Sequence, residues 1–119
     1  MEPRKIALRI AALALAKKAK GVIILDMRSV SDFCDYFVIL STTSLRQANA
    51  VAQYIEEDLA KDRIRTLSKV PANDESGWIV ADFASVVAHI FYEPMREFYN
   101  LERLWSDAKR VRIPRSKRE

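Results

Sequence analysis

The sequence predicts one small α/β domain in which helices flank a mixed sheet of five strands. Two patterns along the chain support this fold class. Apolar residues recur with helical spacing in residues 4–19 and 45–59, while apolar runs or period-two alternations typical of strands occupy five other segments. With 119 residues, half of them hydrophobic, the chain is long enough to bury one core.

The first predicted helix spans residues 4–19, and Pro3 suits its start. Gly21 is expected to end the helix, after a group of lysines that suits a helix C-terminus. A basic amphipathic start is also typical of an organelle transit peptide. Because this segment contains no serine and runs directly into the first predicted strand, a structural helix is favoured.

Three strands are predicted within residues 22–70. Residues 22–27 form a mostly apolar run typical of a buried central strand, and residues 34–41 form a second strand. The six residues between them fit a hairpin or a short crossover without a helix. Residues 63–70 alternate in polarity, which predicts a strand at or near a sheet edge.

The second helix is predicted to begin after Ser44. Ser44 and Gln47 match a capping box, in which the serine hydroxyl accepts a hydrogen bond from the Gln47 amide and the glutamine reaches back to the serine amide. The segment from Pro71 to Gly77 is rich in turn-forming residues and leads into the hairpin.

A hairpin is predicted over residues 78–91, because apolar residues alternate there with period two. A turn through Ala84 and Ser85 sets Trp78 opposite Phe91. One face of the hairpin is then entirely apolar and consists of Ile79, Ala81, Phe83, Val86, Ala88 and Ile90. The other face consists of Trp78, Val80, Asp82, Val87, His89 and Phe91. This mixed face is either a recognition surface or a surface that helices cover, with His89 satisfied by a hydrogen bond.

The chain after the hairpin holds two short predicted helices and a basic end. Pro94 suits the start of the first helix, and Asn100 is a good side-chain cap for the second. Residues 109–119 hold six basic residues and one acidic residue, and we expect a mobile tail there, beyond a domain of residues 1–108. The tail therefore accounts for the net charge of +4.

The charges of the body are polarised along the chain. Residues 74–107 hold seven acidic and two basic residues. An acidic, aromatic region suits a basic protein surface better than a phosphate backbone. The basic tail could bind RNA without specificity, which is the alternative reading of the charge, although it contains no aromatic residue on which a base could stack.

Composition limits the chemistry that the chain offers. Its single cysteine, Cys34, excludes an internal disulfide framework and is expected to be buried rather than reactive. There is no cluster of cysteine and histidine that could hold structural zinc. The apolar runs are far shorter than the ~18 residues of a membrane span, so no membrane association is expected.

Catalysis is not favoured by any residue pattern. A nucleotidyl transferase needs two carboxylates close together on a strand to hold magnesium, and the chain contains no D-x-D. Asp26, Asp35 and Asp82 could still meet in space, and Asp82 with His89 could form an acid–base pair. The segment from Ser41 to Ser44 lacks the glycines of a phosphate loop. We therefore expect no enzyme activity, no metal and no cofactor.

Three segments of the chain resemble the ribosomal silencing factor (Iojap) family. They are LDMRSVSDFCDYFVILSTTSLRQANAVA, WIVADFASVVAHIF and REFYNLERLW. The resemblance extends from about Ile6 to Trp105, and it implies a nucleotidyltransferase-like fold without that enzyme activity. It also implies that the protein binds the fourteenth protein of the large ribosomal subunit and blocks joining of the small subunit, which silences translation when nutrients are scarce.

The resemblance carries further expectations about setting and assembly. Members can self-associate, so a homodimer is an expectation, and the basic tail could touch ribosomal RNA. A bacterial, cytoplasmic setting is favoured, although relatives act in mitochondria and chloroplasts. Thr42 stands where the family usually has glycine, which argues further against an anion site. Ala84 and Ser85 stand where the family usually has Gly-Asp, which removes an acid and a glycine that eases a positive φ.

Carried over position by position, the resemblance implies a partner surface on the hairpin and the helices that follow. It comprises Trp78, Asp82, His89, Arg96, Glu97, Tyr99, Leu101, Glu102 and Trp105. Trp78 and Tyr99 are expected to be apolar anchors, and the acidic members are expected to meet basic side chains of the partner. The pattern leaves open whether Arg96 and Trp105 are contact or structural residues, and it predicts that Leu104 lies in the core.

Overall fold

A mixed sheet of five strands forms the centre of the computed structural model, which describes residues 1–114. In chain order the elements are α1 (Pro3–Ala16), β1 (Lys20–Asp26), β2 (Tyr36–Thr42), α2 (Leu45–Ala60), β3 (Trp78–Asp82), β4 (Val86–Tyr92), α3 (Glu93–Tyr99), α4 (Leu101–Leu104) and β5 (Lys109–Val111). The strands lie in the order β3-β4-β2-β1-β5. β2 and β4 are parallel, and the other neighbouring strands are antiparallel. The predicted fold class is confirmed.

The helices cover the two faces of the sheet unequally. α1 and α2 bury the larger core, in which Ile10 and Ile55 meet strand residues such as Val38 and Ile90. α3 and α4 cover part of the opposite face, where Leu101 packs into a smaller core of strand and loop residues. The second face is therefore the one on which side chains remain available to a partner.

The hairpin of β3 and β4 has the predicted register. Trp78 lies opposite Phe91, and the amide of Phe83 donates to the carbonyl of Val86 at 2.9 Å. The six residues of the predicted apolar face are all buried in the larger core. The apolar face thus supplies the burial that fixes the register, because a slip by one residue would expose it.

Both predicted helix starts are present, with differences in detail. α1 ends at Ala16, because the chain turns at Lys18 with a positive φ of 65°. Gly21 does not end the helix, so that prediction is wrong. It lies inside β1 with a φ of 56°, where the antiparallel register with β2 shifts. A glycine is favoured there because L side chains rarely adopt that conformation.

The start of α2 is capped by its own neighbours. Ser44 Oγ accepts a hydrogen bond from the Gln47 amide at 3.0 Å, as the capping box predicts. Gln47 reaches back one residue further than predicted, since its Oε1 accepts from the Thr43 amide at 2.8 Å. These two amides are therefore already occupied by protein side chains.

The predicted edge strand over residues 63–70 is wrong, because the structure forms no strand there. Glu56 of α2 accepts hydrogen bonds from the Thr66 hydroxyl and the Val70 amide, at 3.2 and 3.0 Å. These bonds hold the segment against the helix. Its contact with the sheet includes a bond from the Leu67 amide to the Asp82 carbonyl at 2.8 Å.

The fifth strand comes instead from residues that the sequence assigns to a mobile tail. β5 pairs with β1, with Val111 opposite Ile24. Val111 and Ile113 pack against the larger core. The apolar area that they bury stabilises this segment although most of its other residues are basic. The prediction of a mobile tail and of a folded boundary at residue 108 is therefore wrong for Lys109–Val111, and residues 115–119 of that tail lie outside the described residues.

Among residues 1–114, none of the helices combines the length and the apolar character that crossing a membrane requires.

Candidate functional site

A continuous row of aromatic rings crosses the second face of the sheet, and we call it the aromatic row. Its members in spatial order are Phe98, Tyr99, Trp78, His89, Phe37 and Trp105. The successive ring centroids are separated by 5.1, 4.5, 5.9, 4.5 and 6.0 Å. Aromatic pairs at these separations stabilise one another beyond the area they bury. The row therefore forms one connected unit drawn from β2, β3, β4, α3 and the segment after α4.

The elbow between α3 and α4 exposes one end of the row. Asn100 joins the two helices with a left-handed φ of 46°, and its side chain makes no capping hydrogen bond. The predicted side-chain cap is thus wrong. Asn100 contributes through its backbone conformation, because asparagine adopts the left-handed region more readily than most residues. Phe98 is 76% exposed on this elbow, and Tyr99 is partly exposed against Trp78.

His89 lies beneath the surface rather than on it, with 6% of the residue exposed. Its Nδ1 accepts a hydrogen bond from Trp78 Nε1–H at 3.1 Å. Its Nε2 has no hydrogen-bond partner among the described residues. Burial lowers the pKa of His89 to about 4, so the ring is neutral near pH 7. The geometry makes His89 a support for the Trp78 ring.

Arg96 is used inside the protein. Its Nη1 donates to the Gly21 carbonyl at 2.7 Å and to Ser41 Oγ at 2.8 Å, and its Nε donates to Glu102 at 2.8 Å. The side chain is 14% exposed. These bonds tie α3 to β1, β2 and α4, which is a structural role. A Cβ at Gly21 would lie 2.7 Å from Arg96 Nη1, so the glycine also makes room for the guanidinium.

The two leucines of α4 are exchanged relative to the prediction. Leu101, expected to contact a partner, is 8% exposed and packs in the smaller core. Leu104, expected in the core, is 70% exposed, so that prediction is wrong. Trp105 packs partly buried against the same smaller core. A four-residue helix has too few turns for its apolar side to be read from spacing.

The acidic members of the predicted surface lie around the row. Glu97 is exposed on α3, and Glu102 is partly exposed while it pairs with Arg96. Asp82 Oδ1 accepts a hydrogen bond from the Ala84 amide at 2.8 Å in the hairpin turn. His89 Nδ1 accepts from Trp78 and His89 Nε2 has no partner among the described residues, so the structure does not form the acid–base pair with Asp82 that the sequence allows.

Two further features bear on the chemistry that was considered. Cys34 is buried, as predicted, and burial, followed by the carboxylates of Asp35 and Asp82, raises the pKa of its thiol. Within residues 1–114, no group of three or more His, Cys, Asp or Glu side chains is arranged to hold a metal ion. Arg28 lowers the pKa of Asp26 by hydrogen bonding, which uses that carboxylate in an ion pair.

Several exposed apolar residues were missed by reasoning from the sequence. They are Phe33, Val80, Phe98 and Leu104. Val80 belongs to the predicted mixed face of the hairpin, so the period-two alternation of the strand already indicated that it could be exposed. The others lie in a loop and in short helices, where no periodic pattern separates an exposed apolar residue from a buried one.

Comparison with known proteins gives consistent matches. The family model described as ribosomal silencing factor during starvation matches residues 1–119. A protein of Bacillus subtilis named ribosomal silencing factor is 38% identical over 106 residues, which cover 88% of this chain and 89% of the relative. One of Halalkalibacterium halodurans with the same name is 32% identical over 82% of each chain. A mouse protein named mitochondrial assembly of ribosomal large subunit protein 1 is 30% identical over 80% of this chain and 42% of its own length.

Solved structures match as well. A crystal structure of a Chromobacterium violaceum protein superposes with a TM-score of 0.84 over 98% of this chain and 95% of that chain, at 21% identity, and therefore supports the fold alone. A crystal structure from Bacillus halodurans superposes with a TM-score of 0.74 over 92% of this chain and 95% of that chain, at 28% identity.

Proposed function

The chain belongs to the ribosomal silencing factor family, and we propose that it binds the fourteenth protein of the large ribosomal subunit through the aromatic row. By occupying that position it blocks joining of the small subunit and represses translation when nutrients are limited. The function needs no reaction, since occupancy alone prevents joining. The single observation that carries the proposal is the exposed aromatic end of the row, where Trp78, Tyr99 and Phe98 lie together beside acidic side chains.

The charge of this region supports a basic protein partner. Residues 74–107 hold seven acidic and two basic residues, and Glu97 lies exposed on the helix that carries Phe98 and Tyr99. Interfaces of this kind place large aromatic anchors at the centre and charged residues at the rim. Rim charges mainly raise the association rate and set the salt dependence. The partner surface should therefore have an apolar patch bordered by lysine or arginine.

Subunit joining provides the direct test. Purified large and small subunits are mixed with increasing amounts of the protein, and joined ribosomes are measured in a sucrose gradient. The wild-type protein should lower the joined fraction. Tyr99→Ala should raise the concentration needed by about thirtyfold or more, because truncating a central aromatic anchor typically costs about 2 kcal/mol or more. A Tyr99→Ala protein that is folded and blocks joining as well as wild type would overturn the proposed surface.

A matched pair of charge reversals separates the site from the overall charge. Glu97→Lys changes the exposed end of the row, whereas Glu57→Lys makes the same charge change on α2, which covers the other face of the sheet. Glu97→Lys should slow association with the large subunit and weaken its salt dependence. Glu57→Lys should have a much smaller effect. Equal effects would mean that only net charge matters.

We also propose that the basic C-terminal segment touches ribosomal RNA. Lys109, Arg110 and Arg112 lie exposed on or next to β5. Ending the chain after Pro114 removes three more basic residues and leaves β5 intact. This truncation should weaken binding to the large subunit modestly and reduce its salt dependence. Complete loss of binding would instead favour RNA as the main partner.

We propose a bacterial, cytoplasmic setting, in line with the bacterial relatives, while relatives in maize and Arabidopsis are named chloroplastic. Light scattering at the concentrations of the binding assays decides whether a homodimer forms and competes for the row.

A further inference from the structure

Phe33 is the most exposed of the large hydrophobic side chains in residues 1–114, with 94% of its surface accessible. It lies in the loop between β1 and β2, and it is not part of the surface that the family resemblance implies. A phenylalanine normally contributes to stability by removing apolar area from water. This residue buries almost nothing within the protein, so its contribution to the fold is small.

The loop nevertheless holds Phe33 in a defined position. The Met27 amide donates to the Asp35 carbonyl at 2.8 Å, and the Ser31 amide donates to the Met27 carbonyl at 2.9 Å. The amide of Phe33 itself donates to Ser31 Oγ at 3.1 Å. The next residue, Cys34, is buried in the smaller core. The ring is thus presented by an ordered loop, which limits the conformational entropy lost when a partner binds it.

The loop adjoins the aromatic row. Residues 28–33 and Trp105 line one cavity with a volume of about 340 Å³. Trp105 is the last ring of the row, and Phe98 is the first. Phe33 therefore lies at the end of the row that is far from Phe98, and both ends carry an exposed phenylalanine.

Acidic groups lie near this end as well. The Asp35 amide donates to the Ser85 carbonyl at 2.8 Å, which ties the loop to the hairpin turn. Asp82, in the strand before that turn, lies close enough to the loop to act on the buried Cys34 thiol. Asp32 also lines the cavity beside Trp105, together with Arg28, whose charge is paired with Asp26. The combination of an exposed ring and nearby carboxylates repeats the chemistry at the Phe98 end.

We propose that Phe33 is a second apolar anchor for the same basic protein partner, and that the cavity beside Trp105 receives one of the partner's side chains. This rests on the proposed function and extends the docking surface along the whole aromatic row. The partner patch must then be apolar at two separated points and carry lysine or arginine beside each of them. Two anchors also fix the orientation of the protein on its partner, which a single cluster at the Phe98 end does not.

The first test is the affinity for purified large ribosomal subunits, measured with the full-length chain. Phe33→Ala should raise Kd by about tenfold, as for loss of an interface aromatic, and Phe33→Leu should raise it less. Leu15→Ala is the matched control, because Leu15 is a partly exposed apolar residue on α1, which covers the opposite face. Its Kd should equal that of wild type.

Each outcome decides a different point. If Phe33→Ala binds like wild type while Tyr99→Ala binds weakly, Phe33 is not an anchor and the proposed function stands. If the wild-type protein does not bind large subunits, the proposed function fails and the inference fails with it. If Phe33→Ala and Leu15→Ala weaken binding equally, the loss reflects no specific contact, and the inference is overturned.

A second measurement does not depend on a truncated side chain. A photo-reactive benzoylphenylalanine introduced at residue 33 keeps an aromatic ring at the position. When the protein is bound to the large subunit, irradiation should crosslink residue 33 to a ribosomal protein. The same crosslink should be lost in a protein that also carries Tyr99→Ala. Crosslinking to ribosomal RNA alone, or no crosslink while the protein is bound, would refute the second anchor.

Discussion

Acidification should destabilise this protein through its single histidine. An unfolded histidine has a pKa of about 6.5, whereas burial lowers the pKa of His89 to about 4 in the folded protein. Between these values the unfolded chain binds a proton that the folded chain excludes. The free energy of unfolding therefore falls as the pH falls through this window, and the loss is complete below about pH 4.

The size of the effect follows from the shift. One pKa unit corresponds to about 1.4 kcal/mol, so the loss between about pH 7.5 and about pH 4.5 is about 2.5 kcal/mol. No solvent discount is needed because His89 is 6% exposed. The rings that contact it, Trp78, Phe37 and Phe91, carry no charge that could favour the protonated form.

Urea unfolding of wild type and His89→Gln at the two pH values isolates this contribution. Glutamine offers an oxygen to Trp78 Nε1–H but does not titrate. Carboxylates titrate equally in both proteins, so the difference between the two pH dependences reports His89 alone. With urea slopes of about 1–3 kcal/mol/M, the wild-type midpoint should fall by about 1–2 M more than that of the variant. An equal fall in both proteins would refute the burial of a neutral His89, and so would an NMR titration of its ring with a pKa near 6.5.

Four further predictions concern stability and are measured by urea unfolding near neutral pH. Leu101→Ala should cost about 2–4 kcal/mol because Leu101 is buried, whereas Leu104→Ala should stay within about 0.5 kcal/mol because Leu104 is exposed; equal losses would contradict the orientation of α4. Arg96→Ala should cost about 3 kcal/mol, since it leaves the paired Glu102 and two other acceptors without their donor. Ala84→Gly should stabilise the protein by about 1 kcal/mol, because alanine stands there with a φ of 72°. Ser44→Ala should cost about 1 kcal/mol through the lost cap of α2.

The parts of the fold that the sequence predicts well are those with a long periodic pattern. The hairpin register follows from alternation over two strands, since the apolar set would be exposed in any other register. α2 likewise follows from its cap at Ser44 and from apolar spacing over four turns. In both cases many residues support the same local structure, so a single exception changes little.

The errors arise where a few residues decide between two packings. Residues 63–70 alternate as a strand would, but Glu56 of α2 accepts hydrogen bonds from this segment, and among the described residues only the Leu67 amide is bonded to the neighbouring strand residue Asp82. Lys109–Val111 looks like a solvated tail by charge, but Val111 and the following Ile113 pack against the larger core and bring the segment to the sheet edge. Alternation and charge describe a segment by itself, whereas both outcomes depend on a contact with a distant element.

The same reasoning explains why the predicted docking surface includes residues that the structure uses internally. Arg96 and His89 are polar residues in an aromatic region, and polarity suggests exposure when only the sequence is considered. In the structure Arg96 joins α3 to the sheet, and His89 holds the indole of Trp78. A buried polar group with specific partners restricts the rings around it to one arrangement. We therefore expect substitutions at His89 and Arg96 to weaken docking by loosening the aromatic row, whereas substitutions at Tyr99 or Phe33 remove contacts directly.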